Sequence, residues 1–182
     1  MMTKDIINHA PIRQATPDDA AQISGVISEA LVLYCKNSRI EKTQLAAGLE
    51  TEDEIREMTK SSLFYVFEKD EKIIGTIRLT FPNFKGLSES ESSADIFEDK
   101  NVCYISRFYV HSDYHGHGIG RELLTFAEEK ARSEAISSMF LHTAIENKKL
   151  VGFYQKRGFT LFEKSNRSSY PRGLFVKKIT KN

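Results

Sequence analysis

Apolar residues recur along this chain with two periods, one helical and one of alternating strand type. Ile23, Val26, Ile27, Ala30, Leu31 and Tyr34 fall at helical spacing and predict a first helix that ends near Asn37. Ile12 to Ala15 ahead of it reads as a short strand. Between the two, Thr16-Pro17-Asp18-Asp19 offers a capping hydroxyl, a proline for the first helical position and two carboxylates for the positive end of the dipole. Glu41 to Glu57 is a more polar helical region broken at Gly48, and within it Thr51-Glu52-Asp53-Glu54 forms a capping box. Ser62 to Phe67 and Ile73 to Phe81 are β runs joined by the charged turn Glu68 to Lys72, which predicts an antiparallel pair. A third run, Cys103 to Val110, leads through a glycine-rich turn into a long helix carrying Ile119, Leu123, Ala127 and Ala131 on one face. Met139 to Ala144 is a strand, Asn147 to Arg157 a helix closed by Gly158, and Phe159 to Glu163 and Leu174 to Ile179 are two final strands. Strands and helices are interleaved, with hairpins at both ends and no internal repeat. The order predicts a single α/β domain over residues 1–182, built on a mixed sheet.

Composition narrows the function. A chain of 182 residues with formal net charge +1 can bury its own core, and it carries no global field that would draw nucleic acid. Cys35 and Cys103 lie in apolar stretches far from each other, which suits buried, reduced thiols in a cytoplasmic protein. His115 and His117 flank a glycine without a Cys or carboxylate nearby, so no metal is expected. No apolar run reaches membrane-spanning length. From Asn83 to Asn101 periodicity is lost and acidic residues outnumber basic ones. Connections of this length are often functional, and an acidic one at a site entrance would suit a cationic ligand.

The stretch that carries chemistry is Cys103 to Arg121, CYISRFYVHSDYHGHGIGR. Its glycines, Gly116, Gly118 and Gly120, come at every second position where strand gives way to helix. Without a Cβ they let a ligand approach the main chain, and several N–H groups converge on one anion where the helix dipole begins. This is a diphosphate cradle. It is neither a P-loop, since Arg121-Glu122 stands where Lys-Ser/Thr would be needed, nor a dinucleotide fingerprint, since the spacing is G-x-G-x-G.

With its flanks, the stretch resembles the acyl-CoA-binding motif of the GNAT superfamily of N-acyltransferases, with His115 where Arg or Gln is usual and Ser112 where Pro is common. The run from Glu146 to Phe159 resembles that family's second signature. There Asn147, Leu150, Val151 and Tyr154 share one helical face. The resemblance implies a mostly antiparallel central sheet flanked by helices, with a central strand splayed from its neighbour. It also implies acetyl-CoA as cosubstrate. The diphosphate would be held by the loop residues His115, Gly116, His117, Gly118, Ile119, Gly120 and Arg121, the pantetheine amides would pair with the backbone of Phe108 and Val110, and Asn147 would lie by the pantetheine or phosphate arm.

The implied reaction is acetyl transfer to a primary amine by direct attack on the thioester. An alkylamine is neutral in only about 1 molecule in 2,500 at pH 7, a penalty of about 4.6 kcal/mol, so a base is needed. Many relatives carry Glu six residues before the terminal Val of the central strand, where this chain has Tyr104. Tyr104 relaying through water, Glu146 and the acidic loop are the alternatives. A backbone N–H at Val110 would meet the oxyanion, and Tyr154 inherits the role of proton donor to the departing thiolate. The acidic loop slightly favours a small cationic amine or polyamine as acceptor. A non-catalytic acyl-CoA sensor is the rival reading, kept open by the missing Glu. A strand edge near the C-terminus leaves open a homodimer.

Overall fold

Most of these periods are met by an element of the structure, a computed structural model in which residues 12–45, 49–81, 101–166 and 168–180 are described. The polar region expected to be helical over Glu41 to Glu57 is instead a 3-10 turn at Lys42–Gln44 and an α-helix only from Glu52, where the capping box lies, to Ser61. The strands are β1 (Ile12–Gln14), β2 (Leu63–Lys69), β3 (Lys72–Thr80), β4 (Val102–Val110), β5 (Ser138–Ala144), β6 (Thr160–Ser165) and β7 (Arg172–Lys178). The helices are α1 (Ala20–Ser38), α2 (Glu52–Ser61), α3 (Ile119–Ser133) and α4 (Lys148–Gln155). The helix break at Gly48 and the acidic run as far as Lys100 lie outside the described residues. No helix among the described residues is long and apolar enough to cross a membrane.

One seven-stranded sheet runs in the order β1-β2-β3-β4-β5-β7-β6. Only the β4–β5 pair is parallel, so the sheet is mixed and mostly antiparallel, as expected. Strand alternation sends successive side chains to opposite faces, and each face has its own core. On one side Ile23, Val26, Ile27 and Leu31 of α1 and Ile55 of α2 pack on Phe64 and Val66 of β2. On the other, Leu123, Leu124, Ala127 and Ala131 of α3 pack on Ile77, Ile105, Met139 and Leu141. The charged turn between β2 and β3 is the two-residue link Asp70-Glu71, both at positive φ (49° and 60°), a geometry that matches the twist of paired strands. β7 inserts between β5 and β6, leaving β6 as the edge, with the Phe162 side chain 65% exposed.

The entry to α1 is tied down electrostatically. A 3-10 turn at Pro17–Asp19 precedes the helix, and the Asp19 carboxylate accepts bonds from Thr16 N (2.7 Å), Thr16 Oγ1 (3.0 Å) and the Arg13 guanidinium (2.8 and 2.9 Å). The Arg13 bond, more than any other contact, lowers the carboxyl from its ordinary 3.8 to about 2. A carboxyl held low in the fold contributes stability above its unfolded pKa and loses it as pH falls through the folded value. Arg13 is 41% exposed, so solvent screening reduces the gain. Asp19→Asn is therefore expected to cost about 1–2 kcal/mol at neutral pH. In urea melts the gap to the wild type should close between pH 4 and pH 2.

Two irregularities of β4 shape the site. Its parallel pairing with β5 runs from Val102↔Ser138 to Ile105↔Leu141 and stops, although β4 continues to Val110. Beyond that point the strands splay. On the β3 side the register shifts between Thr76↔Tyr109 and Arg78↔Ser106, and Arg107 in the bulge sits at φ 47°, a left-handed conformation costly for a residue with a side chain. Its guanidinium is fixed by Glu50 at 2.5 Å, both side chains being largely buried.

Candidate active site

The splay between β4 and β5 opens into a cavity of about 730 Å³ lined from α1, β4, the glycine loop, β5, α4 and the segment before β7. The residues from the glycine loop that line it are His115, Gly116, Gly118, Ile119, Gly120 and Arg121. Gly118 caps α3 at φ 86°, and the first N–H of that helix to reach a carbonyl is that of Glu122, which donates to Gly118 O at 3.0 Å. The N–H groups of the preceding turn, Ile119 to Arg121, have no carbonyl of their own helix to meet, and all three residues line the cavity. His117 is placed differently from its neighbours. It does not line the cavity, its N–H donates to Tyr114 O at 3.4 Å, and its ring folds back towards His115 O. The His115 ring closes the turn by bonding to Val110 O at 2.8 Å.

Along β4, the His111 N–H goes to Ile74 O on β3 at 2.9 Å. Alternation then turns the main-chain groups of Phe108 and Val110 towards β5, where no strand pairs with them past Ile105. Phe108 packs against Phe153 and Tyr154 of α4 (ring centroids 6.1 and 6.2 Å), and this aromatic wall carries Tyr154 into the cavity lining. Burial, followed by the nearby phenols of Tyr34, Tyr109 and Tyr104, pushes the Tyr154 hydroxyl far above the ordinary phenol range. The hydroxyl therefore keeps its hydrogen where an exposed phenol would begin to ionise. Asn147 also lines the cavity, but it acts as the helix cap: Oδ1 accepts from Leu150 N at 3.2 Å and Nδ2 donates to Ser38 Oγ at 3.2 Å.

Tyr104 is buried at the fork of the two strands, and its hydroxyl lies 2.9 Å from His142 Nδ1 on β5. Both residues line the cavity. The parallel register pairs Tyr104 with Phe140, so His142, two positions on, shares its face. No spacing in the sequence announces this pair, because it depends on which strand lies beside β4 and in what register. Glu146, the other described candidate base, is turned to Lys148 Nζ at 3.7 Å and does not line the cavity.

The His115/His117 pair gathers no further ligand among the described residues. Among the described residues, the group close enough together to hold a cation is Glu29, His111 and Asp113, partly exposed and within 4.8 Å of one another. Glu29 is already engaged by His111 Nε2 at 2.6 Å and by the Ser112 hydroxyl. Neither Cys35 nor Cys103 forms a disulfide, and burial pushes the Cys103 thiol up to about 12, out of nucleophilic range.

Comparison with known proteins places this geometry. A profile of the acetyltransferase (GNAT) family matches residues 33–159. An uncharacterized N-acetyltransferase in the pepI 3′ region of Lactobacillus delbrueckii subsp. lactis is 29% identical over 104 residues, 57% of this chain and 55% of the relative, so the match spans about half of that protein. The S-alkylcysteine N-acetyltransferase of Bacillus subtilis (strain 168) is 24% identical over 159 residues, 82% of this chain and 78% of the relative. Among solved structures, the PaiA N-acetyltransferase of Thermoplasma acidophilum in complex with coenzyme A has TM-score 0.62 at 20% identity, covering 92% of this chain and 97% of that one.

Proposed function

Since the chain belongs to the GNAT acetyltransferase family, we propose that it transfers the acetyl group of acetyl-CoA to a primary amine by direct attack on the thioester. The observation that carries the reading is that one cavity joins the open start of α3 to the Tyr104–His142 pair across the splay. The helix start suits the diphosphate. The unpaired edge of β4 at Phe108 and Val110 suits the pantetheine amides, as an added strand would, and the Val110 N–H is a donor for the oxyanion.

The pair supplies the base that the sequence leaves unassigned. With Tyr104 donating to Nδ1, the imidazole carries its hydrogen on Nε2. As the amine attacks, its proton passes to the Tyr104 oxygen, directly or through one water, while the Tyr104 proton moves to His142. No buried phenolate has to form, and the charge ends on imidazolium. The nitrogen–carbonyl bond forms, the carbon–sulfur bond breaks, and the departing thiolate accepts a hydrogen bond from the Tyr154 hydroxyl, which keeps its proton. The thiolate leaves as the thiol when the imidazolium gives up the amine's proton through Tyr104 and water. Two reduced cysteines suit the cytoplasm as the compartment. A polyamine acceptor, inferred from the acidic run, depends on residues outside those described.

The test is acetyl-CoA-dependent release of free thiol across a panel of amines. Release with one amine class supports transfer. CoA binding with no release on any amine would leave an acyl-CoA-binding domain without turnover. The cradle has its own test. Gly118→Val puts a β-branched residue at φ 86°, with its Cβ 3.3 Å from the Arg121 guanidinium. Strain of about 1–3 kcal/mol at the helix start should raise the CoA Kd about tenfold or more, and an unchanged Kd by calorimetry would remove the cradle.

A further inference from the structure

The cavity lining contains Arg107, Arg121, Lys149, Arg157 and Arg172 and, among the described residues, no Asp or Glu. A chamber of this charge is poorly matched to a second cationic group on the acceptor and well matched to anions. Arg121, Lys149 and Arg157 belong to the start of α3 and to α4 and its end, the side where the phosphates of the carrier would lie. Arg107 is already paired with Glu50. Arg172 has no such explanation. Its Nε is buried without a hydrogen-bond partner, and no described carboxylate pairs with it.

The sheet register says where Arg172 stands. It lies opposite Ala144, and Leu174 lies opposite His142. Leu174 clusters with Tyr104 and Phe140, whereas Phe175 belongs to the opposite core with Tyr154. Alternation therefore puts Arg172 on the Tyr104–His142 face, about 8 Å from His142 between Cα positions. Its surroundings are fixed: Tyr34 Oη accepts the Ala144 N–H at 3.0 Å, and the Tyr170 and Tyr34 hydroxyls are bonded to each other.

Building on the transfer reading above, we propose that Arg172 binds a carboxylate of the acceptor, so that the amine acetylated belongs to a free amino acid. A guanidinium fork takes a carboxylate in two parallel hydrogen bonds. That grip directs the neighbouring amine back along the face to Tyr104 and His142.

The experiment compares three acceptors with one side chain, methionine, methioninamide and 3-(methylthio)propylamine, by thiol release, and measures methionine binding to the CoA-loaded protein by calorimetry. The wild type should turn over the amino acid in preference to the other two. Arg172→Gln should raise its KM by roughly 10–100-fold, the loss of a charged hydrogen-bonded pair, while moving the KM of the amide far less. Arg172→Lys should recover part of the difference, and an unchanged CoA Kd reports that the variants are folded. Amines without a carboxylate used as well as methionine, or an equal KM rise for all three in Arg172→Gln, would overturn the anchor and leave acetyl transfer standing. The converse outcome is methionine binding that Arg172→Gln abolishes, without turnover of any amine. That result would overturn transfer and keep the anchor.

Discussion

His142→Ala is expected to lower kcat with the preferred amine by about 10²–10³-fold, the usual contribution of a positioned general base, while CoA affinity holds. The reason lies in the strand fork. Tyr104 acting as the base without the imidazole would have to be a phenolate, which is costly at a buried position. The imidazole 2.9 Å away accepts the charge instead. Added imidazole should restore part of the lost activity in His142→Ala and leave the wild type unchanged. Tyr104→Phe should cause a smaller fall, since the imidazole remains to act through water. A kcat for His142→Ala equal to that of the wild type would rule the relay out.

The second large effect is expected at Tyr154. Tyr154→Phe should reduce kcat by about 10²-fold with little change in CoA affinity or Tm. The ring contacts to Phe108, Phe159 and Phe175 (centroids 6.2, 5.8 and 6.5 Å) do not involve the hydroxyl. Burial raises this phenol, so the hydrogen-bond donor persists well above the pH at which an exposed tyrosine ionises. The wild type should accordingly show no loss of activity from this group as pH approaches 10. The readout that separates a donor from a packing residue is the leaving group: an acyl carrier whose thiol is more acidic should be less affected by Tyr154→Phe. Equal losses with both carriers would assign Tyr154 to packing alone.

Much of this protein was legible before any coordinates. The seven strands and four helices follow from apolar periodicity, and the chain adopts them because each face, once formed, has apolar area to bury. The strand–glycine–helix turn was equally legible, because it is a local event. The conformation of Gly118 and the bare N–H groups after it are set within a few residues of chain. His117 shows the limit of that reading: it stands within the motif, yet its N–H closes the turn.

What the chain order could not supply was adjacency between distant segments. The insertion of β7 beside β5, the register that brings His142 beside Tyr104, and the placing of Arg172 on that same face all depend on pairings between residues about 28 to 40 positions apart. The bulge that holds Arg107 at a positive φ has no glycine to mark it and is fixed by Glu50, far away in sequence. Local periodicity fixes which face of an element is buried, because a side chain's direction is set by its own backbone. Which side chains then meet is a property of the packed sheet, and it was the packing that brought Tyr104, His142 and Arg172 to one cavity.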